Sequence, residues 1–68
     1  MKWLKEFPRP EKPTYYFAKF IGNKGFFVVR IMYIKTYEKY IAQHAGSDDF
    51  STEVDLHDCE FQVAVPQE

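Results

Sequence analysis

His57-Asp58-Cys59 is the one place in the chain where an imidazole, a carboxylate and a thiol stand together. These are the groups of a nucleophilic pair, in which His draws the proton from Cys. They are also metal ligands. Neither chemistry is expected here. A zinc site takes three or four ligands, and the chain holds only two His and one Cys. A Cys–His pair needs hydrogen-bond reach, whereas residues two apart on a straight strand stand about 7 Å apart. Cys59 therefore reads as a buried structural thiol. Asp48/Asp49 and Asp55/Asp58 pair carboxylates as acid–base work would. They sit in turn-rich sequence with nothing to form a pocket, and read as a solvated acidic surface. Gly22, Gly25 and Gly46 form no phosphate-binding loop. The expectation is no catalytic residue, no metal and no cofactor, so the protein is not read as an enzyme.

The remaining chemistry is recognition, and one stretch must position it. Thr14 to Lys35, TYYFAKFIGNKGFFVVRIMYIK, reads as a β-hairpin folded at Gly22-Asn23-Lys24-Gly25. Its arms are rich in Tyr, Phe, Val and Ile, which suit a pleated, half-buried surface. With Gly22 opposite Gly25, Asn23-Lys24 is a two-residue loop. Phe20 then faces Phe27, Ala18 faces Val29, Tyr16 faces Ile31 and Thr14 faces Tyr33, a nearly all-apolar face assigned to the core. The other face carries Tyr15, Phe17, Lys19, Ile21, Phe26, Val28, Arg30 and Met32. Large rings beside two cations allow two readings. Another element covers the face, with the Lys19 and Arg30 stems snorkelling to water. Alternatively the face is a recognition surface, with rings as anchors and cations for orientation. Tyr15, Phe17, Lys19, Phe26 and Arg30 are the candidate partner contacts.

Lys24-Gly25-Phe26-Phe27-Val28-Val29 resembles the Lys-Gly-aromatic start of the nucleic-acid-binding strand in RRM and cold-shock domains. The resemblance covers six residues and departs at Phe27, where the pattern has a small residue. It implies base stacking on the strand's aromatics, with single-stranded nucleic acid as the ligand.

Sixty-eight residues make one domain, with a modest core. The aromatic share of 19% is more ring surface than one small core hides, so some rings face a surface or an interface. A net charge of −1 conceals an asymmetry. All nine Lys and Arg lie between Lys2 and Lys39, against Glu6, Glu11 and Glu38 up to residue 46. Residues 47–68 hold seven acids and no cation. Either the acidic C-terminal strands pair beside the basic hairpin and neutralise it, or one pole steers the molecule to a charged partner. A lone cysteine excludes an internal disulfide framework. No apolar run approaches the roughly 20 residues that span a bilayer. MKWLKEFPRP lacks a signal-peptide core. A cytoplasmic protein with no membrane contact is expected.

Trp3, Leu4 and Phe7 are spaced as one amphipathic turn, an arm suited to lie over an exposed core edge. Pro8, Pro10 and Pro13 hold the chain extended. Pro10-Glu11-Lys12-Pro13 also has the PxxP spacing of a ligand for proline-reading domains. Thr36 can cap a helix over 37–45, with Tyr37, Tyr40, Ile41 and His44 on one face and Gly46 ending it. The rival is a continuing strand, since Tyr33, Lys35, Tyr37, Lys39 and Ile41 alternate. Further on, Phe50, Thr52, Val54 and Leu56 alternate on even numbers, and Cys59, Phe61, Val63 and Val65 on odd ones. A hairpin turning at His57-Asp58 directs Leu56, Cys59, Val54, Phe61, Thr52 and Val63 inward, and a bulge in one longer strand is the alternative. Pro66 ends the last strand.

The expected fold is α+β: a small antiparallel β-sheet, β-β-α-β-β, with one short helix packed on one face. Residues 1–68 form a single domain, with an arm over 1–13 and an α+β core over 14–65. The expected function is non-catalytic binding of another protein, as an inhibitor or adaptor. In size and composition the chain resembles accessory proteins of phages and mobile elements. Single-stranded nucleic-acid binding by the same face is the alternative, and a homodimer burying that face on itself is a third reading.

Overall fold

The computed structural model describes residues 3–64. They form one antiparallel sheet of five strands: β1 (Thr14–Phe20), β2 (Phe27–Ile34), β3 (Lys39–His44), β4 (Phe50–Thr52) and β5 (Cys59–Val63). The strand order is β4-β3-β2-β1-β5, so the first hairpin lies in the middle. Among the described residues no helix forms. None is therefore long and apolar enough to cross a membrane.

The expected α+β class is overturned by residues 37–45. Residues 35–38 are a turn, with Glu38 at φ 53°, and β3 follows directly. Tyr33 pairs with Tyr40, Ile31 with Ala42 and Val29 with His44. Helical and strand spacings both fitted this segment. A nine-residue helix is marginal alone, whereas β3 gains ladder bonds to β2 on one side and β4 on the other. Tertiary pairing overrides the local preference.

The first hairpin forms, but its register differs by two residues. Ala18 pairs with Phe27, Tyr16 with Val29 and Thr14 with Ile31. The tight turn is Phe20–Asn23, closed by the Asn23 N–H donating to the Phe20 carbonyl at 3.0 Å. Gly22 takes the left-handed position, φ 92°, which a turn of this kind requires at its third residue. Because side chains alternate with period two, an even shift changes partners and leaves both faces intact.

The expected C-terminal hairpin does not form. β4 pairs with β3 and β5 with β1, at opposite edges of the sheet. Thr52 faces Ile41 on the outer side, Val54 is 77% exposed, and Leu56, Cys59 and Phe61 are buried. Val65 and Pro66 lie outside the described residues. The connection over 53–58 folds on itself: the Leu56 N–H donates to the Thr52 carbonyl and the Cys59 N–H to the Leu56 carbonyl. Two such turns reach about 14 Å at most. The edges of a flat five-stranded sheet stand about 19 Å apart. The sheet must therefore curl, with residues 53–58 across its concave side.

That concave side holds the core: Phe7, Tyr16, Ala18, Val29, Ile31, Ala42, Leu56, Cys59 and Phe61. The arm covers it in place of a helix. Leu4 exchanges two backbone hydrogen bonds with Phe61, and the Phe7 ring stands edge-on to the Phe61 ring at 5.6 Å. Arg9 then reaches Glu53 at 2.7 Å, joining arm to connection. Phe61 is fully buried, whereas Phe20 is 40% exposed at the hairpin end. Phe61→Ala should cost about 3–5 kcal/mol, comparable to the whole stability of so small a domain. Phe20→Ala should cost clearly less, and urea unfolding of the two variants measures the difference.

Candidate interaction surface

The sheet's outer face takes its residues from all five strands and the arm. Tyr15, Phe17 and Lys19 come from β1, Val28, Arg30 and Met32 from β2. Ile41 and Gln43 come from β3, Phe50 and Thr52 from β4, and Glu60 and Gln62 from β5. Cross-strand pairing puts them in rows: Gln43, Arg30 and Tyr15 across three strands, and Val28, Phe17 and Gln62 across another three. Phe26 lies beside this face, its ring edge-on to Phe17 at 5.2 Å. None of these side chains is buried. Tyr15 is 45% and Phe26 60% exposed. Phe7 of the arm and Leu56 of the connection pack on the concave side, and among the described residues only Trp3 of the arm reaches over the outer side, beside Lys19. Large rings held on a rigid, uncovered sheet can serve as anchors with little entropy left to lose on binding.

All five expected contacts, Tyr15, Phe17, Lys19, Phe26 and Arg30, are on this side, but the two cations differ. Lys19 Nζ lies 3.7 Å from Glu60 Oε1 and 5.1 Å from the centre of the Trp3 ring. Arg30 makes no ion pair among the described residues. Glu60 and Trp3 were not among the expected contacts. Glu60 alternates with Cys59 and Phe61, so its outward direction was readable once β5 was assigned. Its neighbour β1, and hence the pair with Lys19, depended on strand order. Glu60 of β5 thus offsets Lys19, and the rings and aliphatic side chains of the face stand beside Arg30 as its remaining cation among the described residues.

The strand edges are less accessible than the face. The outward Thr52 N–H on β4 donates to Asp55 Oδ2 at 3.0 Å, and the Thr52 carbonyl accepts from Leu56. On β5 the outward groups of Phe61 are taken by Leu4. Edges blunted in this way resist pairing with a further strand.

His57 and Cys59 do not come together as a catalytic pair. The His57 ring is on the surface, with Nδ1 2.9 Å from the Val54 carbonyl and Nε2 3.3 Å from Asp58. Cys59 points into the core. Among the described residues no three His, Cys, Asp or Glu side chains are grouped to hold a metal ion. His44 instead stacks on Phe27 at 5.4 Å and meets Ser51 Oγ at 2.9 Å. No protein-family model matches this chain, nor does any curated protein or solved structure.

Burial raises the Cys59 thiol above its ordinary 9.0, and the Asp58 charge adds to the rise. Burial likewise raises Tyr16 above 10.0. The native state thus keeps both protons to higher pH than the unfolded chain. Their contribution to stability is complete below pH 9 and is lost as pH rises through the native values. Cys59→Ala should remove the part of the alkaline loss that begins near pH 9, leaving the part from Tyr16. Denaturant midpoints measured between pH 7 and 11 check this.

Proposed function

We propose that the protein binds another protein through the outer sheet face, as a non-catalytic inhibitor or adaptor. The observation that supports this best is an uncovered, ring-rich face whose Lys19 is already engaged by Glu60. Tyr15, Phe17 and Phe26 supply anchoring surface, while Arg30 supplies orientation. A lone buried thiol accords with a cytoplasmic setting, where thiols stay reduced. The kind of partner blocked by small phage accessory proteins, an enzyme surface, fits a convex docking face.

Single-stranded nucleic acid is the second reading, supported by the same rings. The paired state of Lys19 counts against it, since phosphate-led binding needs free cations along the strand. Salt separates the two readings. Nucleic-acid affinity should fall steeply between 50 and about 200 mM salt, whereas a ring-anchored protein interface should change little. Absence of binding to mixed-sequence oligonucleotides at low salt removes the second reading.

For the main reading, Phe17→Ala with Arg30→Ala should abolish capture of a partner from the cells that make the protein. Both positions lie outside the core, so the pair should lower stability by no more than about 2 kcal/mol. A variant that stays folded and captures the same protein as well as the wild type overturns the assignment.

A further inference from the structure

We infer that the partner's surface carries a carboxylate, set among apolar groups, which docks on Arg30. This rests on the reading of the outer face as protein-binding and names the chemistry of what it binds. Arg30 is the fourth residue of the eight in β2, and β2 is the third of five strands. It therefore stands at the middle of the face. Tyr15 and Gln43 pair with it from either side. The three residues line an open groove of about 230 Å³ together with residues 44–47. Within the fold, among the described residues, no acceptor meets the guanidinium. Asp48 and Asp49 follow on the neighbouring turn without an ion pair to it.

The consequence is electrostatic. A partner that covers this face strips water from Arg30 at its centre. A desolvated guanidinium without a partner is strongly unfavourable, whereas a carboxylate meets it with two parallel charge-assisted bonds. The Tyr15 hydroxyl and Gln43 amide flank it as further donors. Phe17, Val28, Met32 and Ile41 surround the row, so the carboxylate arrives within an apolar patch. A second copy of the chain does not meet this demand. An isologous contact presents the same patch twice and brings one central Arg30 towards the other. Two convex faces also touch over little area. A contact between two copies centred on Arg30 thus lacks the acceptor that a different molecule would bring.

A library of disulfide-cyclised random peptides, panned on the intact protein, tests this. Selected peptides should carry Asp or Glu amid apolar residues. Replacing that acid by its amide, or Arg30→Gln in the protein, should each weaken binding about tenfold. The two changes together should weaken it no more than either alone, as for one shared contact. Unchanged unfolding of Arg30→Gln shows that the loss is local. Peptides that need Phe17 but contain no acid, or ignore Arg30→Gln, overturn the carboxylate and leave the protein-binding face standing. If every selected peptide ignores both Phe17→Ala and Phe26→Ala, both fall. A wild-type dimer in sedimentation that Phe17→Ala dissociates overturns the inference in favour of self-association.

Discussion

The structure turns on the packing of Phe61. Its ring is sealed in the core, its backbone is held by Leu4 on one side, and β1 lies on the other. Phe7 meets the ring edge-on, a favoured aromatic geometry. Through this one residue the first strand, the last strand and the N-terminal arm share a contact. A chain of 68 residues has little apolar area to bury. Its arm supplies the layer that a helix supplies in larger α+β domains.

Covering the concave side in this way leaves the convex side open. Phe7 of the arm and Leu56 of the 53–58 connection pack on the side with Phe61, while on the other side only Trp3 among the described arm residues reaches Lys19. Rings on the other side are held by neighbours in the sheet, as Phe17 is by Phe26, without being enclosed. The edges are meanwhile occupied at Thr52 and Phe61. Apolar surface concentrated on a face, with its edges blunted, favours docking by side chains over strand addition.

Charge follows the same organisation. The basic first half and the acidic second half of the chain meet in two ion pairs among the described residues. β5 lies against β1 and sets Glu60 beside Lys19, while the connection sets Glu53 beside Arg9. Exposed pairs such as Arg9–Glu53 add little stability, about 0–1 kcal/mol. Their effect is to leave the centre of the outer face with a single cation that is not internally matched among the described residues. For the proposed binding role, specificity would rest on what Arg30 requires.

The chain's own residues determined the central hairpin, its two faces, and the burial of Cys59 and Phe61, because alternation with period two survives any even change of register. They also determined that Tyr15, Phe17, Lys19, Phe26 and Arg30 share a side. Three features were decided only by tertiary structure. Residues 37–45 fit helix and strand alike, and pairing with β2 selected the strand. Phe50 to Leu56 alternates like one long strand, yet it breaks after Thr52, because Leu56 buries more by crossing the concave side. The pairing of Lys19 with Glu60 required β5 to sit beside β1. Strand order joins residues far apart in the chain, and local spacing carries no record of which distant edges meet.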